Sequence, residues 1–143
     1  MTSDDVQISE QDTPTGEELV TLYRAVGWSA YADDPATLER AVAGSSFVVT
    51  ARRQGALIGL ARAISDDATI CYLQDILVTP DAQRAGVGRR LAHQVLHRYA
   101  AVRQKVLLTD EESGQRAFYE SLGYTEIRDF TRASLRAFVR FDR

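Results

Sequence analysis

Residues Val78–Leu91 read VTPDAQRAGVGRRL, and this stretch says most about the fold. Pro80 closes an apolar run, and Gly86 and Gly88 stand at the start of the most amphipathic segment of the chain. A strand that passes through a glycine-containing loop into a helix forms an anion site, because the first amides of the helix have no helical partner and the helix dipole favours negative charge. We therefore predict that the backbone amides of Gln83–Gly88 bind the phosphates of a ligand.

This stretch differs from two well-known phosphate loops. The dinucleotide fingerprint needs a third glycine at position 91, where the chain has Leu91, and the Gly-Lys-Ser/Thr of a P-loop occurs nowhere in the sequence. Two glycines before a helix also occur in an ordinary tight turn, so the loop alone leaves both interpretations open. Arg84, Arg89 and Arg90 add positive charge at its rim, which suits an anionic ligand.

The pattern of apolar residues predicts an α/β protein with a central mixed sheet and helices on both faces. Ile70–Val78 is almost continuously apolar, which is typical of a central strand covered on both sides. The other predicted strands are Val6–Ile8, Phe47–Arg52, Ala56–Ile64, Lys105–Leu108, Tyr124–Ile127 and Ala137–Phe141. The predicted helices are Glu17–Val26, Pro35–Val42, Gly86–Tyr99 and Thr109–Leu122, the last begun by a capping box of Thr109 and Glu112.

Length and composition place limits on function. The 143 residues, 45% of them hydrophobic, suit a single domain that spans 1–143, with about residues 1–5 disordered. A net charge of −3 argues against nucleic acid as a partner, since phosphate binding needs clustered cations. The apolar runs fall far short of the about 20 residues that cross a membrane, and the polar start does not look like a secretory signal. We therefore expect a cytoplasmic protein with no membrane partner.

Two motifs resemble those of the GCN5-related N-acetyltransferase (GNAT) superfamily. The first is Gln83-x-x-Gly86-x-Gly88, which follows ILVTPDA and opens a helix, as in the acetyl-CoA-binding motif of that family. The second is AFYESLGY, residues Ala117–Tyr124, which is similar to the family's FYxxLGY/F helix and turn. Both occur in the family's order and at its usual separation, and the resemblance covers almost the whole chain.

The resemblance implies a sheet that splays between the fourth and fifth strands to admit acetyl-CoA as the acyl donor, with no metal. Pantetheine would bond to the strand backbone and pyrophosphate to the loop amides. The implied donor-binding residues are Ile76, Leu77, Val78, Gln83, Arg84, Ala85, Gly86, Val87, Gly88 and Arg89.

Tyr119 matches the position at which many members of the family carry a tyrosine that protonates the leaving sulfur. The alternative is a core aromatic residue, because Phe118, Tyr119 and Leu122 lie on or near one helical face. The sequence departs from the family at Glu112, where many relatives have an asparagine that contacts the nucleotide end of the cofactor. We expect Tyr119 to be the general acid.

Asp75 is the carboxylate within the apolar run Ile70–Val78. If the site is dry, its pKa would be raised, and it would accept a proton from the substrate ammonium directly or through water. It would instead pair with a cation on a neighbouring strand, such as Arg62, if its role is structural. A bulge in this strand would decide which way Asp75 faces, so the sequence leaves both roles open.

Trp28 and Tyr31 lie in the connection that covers the acceptor pocket in the resembling family. They would clamp an alkyl or aromatic amine there, or they would only anchor the loop. His93 and His97 are four residues apart, but no third ligand accompanies them, so we expect no metal site. Cys71 stands in the apolar run, where a thiol packs as a small hydrophobic group more often than it acts as a nucleophile.

These features predict an N-acetyltransferase that moves the acetyl group of acetyl-CoA to a primary amine of a small molecule, by direct attack in a ternary complex. Two alternatives stay open: an acetyltransferase of proteins or peptides, and a regulator that binds acetyl-CoA without turnover. The sequence also leaves open a homodimer.

Overall fold

The computed structural model describes residues 5–142 and divides the chain into two units, Met1–Leu108 and Thr109–Arg143. The first unit contains a five-stranded sheet in the order β1-β2-β3-β4-β5. Its strands are β1 Val6–Ser9, β2 Phe47–Arg53, β3 Ala56–Ser65, β4 Ile70–Val78 and β5 Gln104–Leu107, and its helices are α1 Gly16–Ala25, α2 Ser29–Ala32, α3 Pro35–Ala43 and α4 Val87–Arg98.

The sheet is antiparallel from β1 to β4, and β5 then adds in parallel. The turn between β2 and β3 consists of Gln54 and Gly55, whose φ angles of 51° and 81° are those of a two-residue turn that matches the twist of the strands. The predicted hairpin and the predicted mixed sheet are therefore confirmed, with strand ends shifted by a residue at most.

Helices cover both faces of the sheet, as predicted. On one face Leu60 packs with a buried apolar cluster supplied by α1, α2 and α3. The adjacent residue, Gly59, faces the opposite side, because a β-carbon there would lie 3.1 Å from Leu91 Cδ1 of α4. The glycine thus lets α4 approach the sheet closely. The predicted apolar stripe of α4 is buried throughout, with Val87, Leu91, Val95 and Tyr99 at most 1% exposed.

Strand β4 carries two irregularities that shape the edge of the sheet. Arg62 pairs with Asp75 and Ala63 with Leu73, so Gln74 is an extra residue that forms a β-bulge. The pairing of β4 with β5 covers Ile70 to Leu73 and no more. Beyond the bulge the two strands diverge, which confirms the predicted splay between the fourth and fifth strands.

The second unit contains α5, Gln115–Ser121, and a short 3-10 helix, Ile127–Asp129. The predicted capping box of Thr109 and Glu112 is wrong, because the Asp110 side chain accepts from the Glu112 amide at 3.0 Å and α5 begins only after Gly114, whose φ is 92°.

The two late strands predicted at Tyr124–Ile127 and Ala137–Phe141 are absent from the described residues of this unit. In the first, Arg116 of α5 pairs with Glu126, which precedes the 3-10 helix, and with Asp129, its last residue. In the second, the residues are exposed and have the composition of a strand, but they form no hydrogen-bond ladder in the described part of the chain. A segment with strand propensity forms a strand only when it packs against a neighbouring strand, and the sequence alone does not show whether such a neighbour is present.

Two expectations concern the chain as a whole. The disorder expected for about residues 1–5 falls on residues 1–4, which lie outside the described part, and on Asp5, which precedes β1. A single domain over 1–143 stays a prediction. Among residues 5–142, no helix has both the length and the apolar character needed to cross a bilayer.

Candidate active site

The connection between β4 and α4 forms a loop with an unusual backbone. A single 3-10 turn, Pro80–Ala82, follows β4, and the chain then adopts positive φ at Arg84 (70°) and again at Gly86 (80°). Left-handed residues next to a helix start turn successive amides toward one point, which is the geometry of an anion-binding nest. No side chain caps the first turn of α4, which begins at Val87 after Gly86. The loop therefore fits the predicted phosphate site.

Side chains at both ends hold this loop in place. Ala82 and Val87 are each 1% exposed and anchor the loop in the core. Gln83 folds back, and its Nε2 donates to the carbonyl of Val78 at 3.0 Å. Between these anchors the space beside Gly86 is open, since no other group lies within 4 Å of the place where a β-carbon would stand. A bulky ligand group can approach the backbone there.

The arginines near the loop have different surroundings. Arg84 and Arg89 are exposed beside the loop, on the side from which an anionic ligand would approach from solvent. Arg90 instead donates through both terminal nitrogens to the Val6 carbonyl at 3.4 Å, which ties α4 to β1. Its contact with the edge strand shows a structural use that the sequence did not indicate.

The backbone of Ile76, Leu77 and Val78 borders the loop. These residues pair with β3 through Ala61, Leu60 and Gly59, while β5 has already diverged on their other side. A strand that is paired on one edge and open on the other can accept an extended ligand as a partial extra strand. The geometry of β4 therefore suits the predicted donor-binding backbone.

Asp75 is the centre of a buried polar network. The carboxylate is 3% exposed, and its Oδ2 accepts from Arg62 Nε at 2.5 Å and from the Tyr23 hydroxyl at 2.9 Å. Arg62 also reaches the carbonyl of Ala41 and the hydroxyl of Ser45 at the end of α3. Burial raises the pKa of Tyr23, and the negative charge of Asp75 raises it further. The pairing with Arg62 is the structural alternative that the sequence had left open, and a role as proton acceptor stays a prediction.

Aromatic side chains surround this network on the side of α1 and α2. Trp28 occupies the N-cap position of α2 without a capping side-chain bond, and Tyr31 lies within that helix. Both rings contact the ring of Tyr23, with centroid distances of 5.8 Å and 5.7 Å. The bulged residue Gln74 donates from Nε2 to the Tyr31 hydroxyl at 3.4 Å. Sequence reasoning named Trp28 and Tyr31 but missed Tyr23 and Gln74. A tyrosine on the apolar face of a predicted helix, with a hydroxyl to satisfy, was the available signal for Tyr23.

Tyr119 lies in the second unit, on α5. It is 9% exposed, and its ring makes edge-to-face contacts with Phe118 at 5.1 Å and Tyr124 at 6.1 Å between centroids. The predicted neighbour Phe118 is confirmed. These contacts hold the ring in one orientation, which both a core residue and a positioned acid require.

Two further candidates have no catalytic setting. Cys71 is 1% exposed, and burial raises the pKa of its thiol despite the opposing effect of Lys105. A raised pKa disfavours the reactive thiolate, as expected for a packed cysteine. His93 and His97 lie on α4, and within residues 5–142 no three metal-ligating side chains come together.

Comparisons with known proteins agree with the fold. The model of the acetyltransferase (GNAT) domain matches residues 10–140. The uncharacterized N-acetyltransferase ycf52 of Pyropia yezoensis is 25% identical over 129 residues, which cover 87% of this chain and 73% of that protein. A GNAT-family acetyltransferase from Streptococcus pneumoniae superposes with a TM-score of 0.78 at 28% identity, over 96% of this chain and 98% of that one.

A more distant neighbour is AAC(6')-Iy in complex with the bisubstrate analogue CoA-S-monomethyl-acetylneamine. It covers 96% of this chain and 98% of that one, with a TM-score of 0.69 at 17% identity, and this similarity concerns the fold. The family model spans nearly the whole chain, so the chain belongs to the GNAT acetyltransferase family. It is an acetyltransferase of the GNAT type.

Proposed function

We propose that the protein transfers the acetyl group of acetyl-CoA to the primary amine of a small molecule, in a ternary complex of enzyme, donor and acceptor. The observation that carries this proposal is the loop before α4. Positive φ at Arg84 and Gly86, open space beside Gly86 and an uncapped helix start together form an anion site at the end of an open-edged strand. A CoA ester has that shape, with an extended amide chain that ends in a pyrophosphate.

The residues of the loop and strand fit such a donor. The backbone of Ile76, Leu77 and Val78 would bond to pantetheine, and the amides from Gln83 to Gly88 would hold the pyrophosphate. Ala85 and Val87 contribute backbone amides to that group, and Arg84 and Arg89 contribute cations that an exposed pyrophosphate attracts. The fold neighbour AAC(6')-Iy, whose described complex contains CoA, supports this assignment.

The chemistry needs a neutral amine and a protonated leaving group. Bound acetyl-CoA supplies an acetyl thioester, and attack by the amine forms a carbon–nitrogen bond as the carbon–sulfur bond breaks. Tyr119 is our candidate to donate the proton that the departing sulfur receives, because a buried phenol held by two rings is a positioned donor. The proton lost by the amine goes to Asp75 or through water to solvent.

For Asp75 the buried pair with Arg62 supports a structural role more than that of a base. The buried Arg62 guanidinium needs the Asp75 carboxylate as its counter-charge, and taking up a substrate proton would remove that charge. Water therefore becomes the more natural acceptor, and Asp75 holds the bulged strand beside it.

The direct test is thiol release from acetyl-CoA with a panel of amines and peptides. We expect turnover with small primary amines, and the acetylated product should appear in equal amount to the free thiol. Faster turnover of peptides would favour the protein acetyltransferase instead. Tight binding of acetyl-CoA with no turnover on any acceptor would favour a sensing protein. The molecular mass of the same preparation in solution would show whether the chain is a homodimer. Its cytoplasmic location stays a prediction.

Gly86→Val should weaken acetyl-CoA binding by about tenfold or more, because a branched side chain disfavours positive φ and fills the open space beside the loop. Calorimetric titration of the folded variant measures this. The matched control is Gly55→Val, which imposes similar backbone strain in the β2–β3 turn, where φ is 81°. The control should lose stability but keep its affinity, and equal affinity for both variants would mean that the loop is only a turn.

A further inference from the structure

Four half-buried side chains lie on α2, at its start and on β4, beside the Asp75 network, and we call them the aromatic patch: Trp28, Tyr31, Tyr72 and Gln74. The Trp28 and Tyr31 rings lie 6.3 Å apart, and Gln74 reaches the Tyr31 hydroxyl. Tyr72 lies two residues before Gln74 on β4, and both are half-buried between buried neighbours, so the alternation of the strand places them on the same face. Helix α2 and strand β4 thus contribute to one surface.

A buried tyrosine supports the aromatic patch from the core side. Tyr23 is fully buried, contacts the rings of both Trp28 and Tyr31 edge to face, and donates to Asp75. The Trp28 and Tyr31 rings therefore both pack on a buried side chain that is itself hydrogen-bonded in the core. Rings held in this way lose little further freedom when a ligand packs on them.

The patch adjoins the open edge of β4. Gln74 is the bulged residue, and the residues that follow Asp75 are those whose backbone is open beyond β5. The same stretch of strand therefore carries an aromatic surface on its side chains and the proposed donor site on its backbone. An acceptor bound to the patch would have its amine near the place where the donor chain is expected.

The charges around the patch disfavour acidic ligands. Arg62, the cation of the network, is 5% exposed and already pairs with Asp75, so it is not available to a carboxylate of an acceptor. Arg24, close to α2, lies 3.7 Å from Asp33 and donates to the carbonyl of Ala32. Aromatic faces carry negative charge density and attract cations and flat apolar groups. An acidic group on the patch would therefore have to compete with Asp75 and Asp33 for these two cations to offset its lost hydration.

We infer that the aromatic patch selects the acceptor, and that the acceptor is an arylalkylamine: a primary amine on a short chain next to a flat ring, without a carboxylate beside the nitrogen. This inference rests on the proposed acetyltransferase function. Tyr31 and Tyr72 pack on the ring, and Gln74 orients the amine by its amide. Tyr72 and Gln74 are thereby specificity-determining residues.

The test uses three amines that differ by one feature each. Phenylethylamine has the ring and no acid, phenylalanine adds a carboxylate to it, and butylamine lacks the ring. We expect kcat/KM for phenylethylamine to exceed that for butylamine by about tenfold and that for phenylalanine by about tenfold or more. Equal values for phenylethylamine and phenylalanine would overturn the inference and leave the acetyltransferase function intact. Failure of all three amines in a chain that turns over another amine of the panel would overturn the inference alone, and failure of every acceptor in a chain that binds acetyl-CoA would overturn both.

Substitutions of Tyr72 test whether the aromatic patch causes the preference for phenylethylamine. Tyr72→Leu should raise KM for phenylethylamine by about tenfold while KM for acetyl-CoA and kcat/KM for butylamine stay within about twofold. Tyr72→Phe keeps the ring and should keep the preference. A Tyr72→Leu variant that loses activity equally on both amines would mean that Tyr72 supports the fold rather than selects the acceptor, and this would overturn its assignment.

Discussion

Tyr119→Phe should lower kcat by about a hundredfold while the fold and the affinity for acetyl-CoA are kept. A phenol donates a proton to sulfur as the carbon–sulfur bond breaks, which phenylalanine cannot do. The phenyl ring fills the same space against Phe118 and Tyr124, so the packing of α5 is preserved. Steady-state kinetics together with calorimetric titration of acetyl-CoA measure the two effects separately.

The nature of the leaving group gives this prediction a sharper form. The loss should shrink for an acyl donor with a more acidic thiol, because such a thiolate leaves without protonation, whereas poor positioning would not follow thiol acidity. Tyr124→Phe is the matched control, since it removes a hydroxyl from the ring next to Tyr119 and should leave kcat within about twofold. Full activity of folded Tyr119→Phe would remove this residue from the mechanism.

Asp75→Asn should lower the free energy of unfolding by about 3–5 kcal/mol, the range found when one partner of a buried pair is removed. Arg62 is 5% exposed, and burial acts to lower its pKa, but the charge and hydrogen bond of Asp75, with smaller contributions from Tyr23, together raise it. The asparagine keeps the shape of the site but leaves the guanidinium buried without a counter-charge. Urea unfolding of the variant measures the loss.

A double-mutant cycle separates the two roles of Asp75. Arg62→Met should also destabilise, and the double variant should be less destabilised than the sum of the single variants if the two groups act as a pair. Tyr23→Phe is the milder control, because it removes one hydrogen bond to Asp75 and no charge. A stable Asp75→Asn variant that loses kcat/KM together with the acid limb of its pH profile would instead identify Asp75 as the base.

The sequence predicted the elements that depend on local pattern. The apolar run of β4, the stripe of α4 and the glycine loop between them have the predicted bounds to within a residue, because burial periodicity and helix-start chemistry are written in consecutive residues. The sequence-based prediction failed in the second unit. There α5 begins only after Gly114 and the turn at Asp110, and the two predicted strands do not form in the described residues.

The candidate site shows the same division. The donor loop could be predicted because its amides and glycines are adjacent in the chain, although the positive φ of Arg84 was not foreseen. For Asp75 the sequence named Arg62, 13 residues away, as a candidate partner but left the role of the carboxylate open, and it did not indicate Tyr23, which is 52 residues away. No local pattern states which distant hydroxyl or guanidinium will reach a buried carboxylate.

What the sequence by itself determined is therefore the family, the order of the main elements in the first unit and the glycine loop before α4, all of which follow from short-range chemistry. Phosphate binding by that loop stays a prediction. Only the tertiary structure decided which face of the sheet Asp75 points to and which side chains it contacts there. The bulge at Gln74 shifts the register of β4 against β3, so that Asp75 meets Tyr23 and Arg62 on the α1 side. A shift of one residue in a strand moves a side chain to the opposite face, and such a shift is set by pairing with neighbouring strands rather than by the strand's own residues.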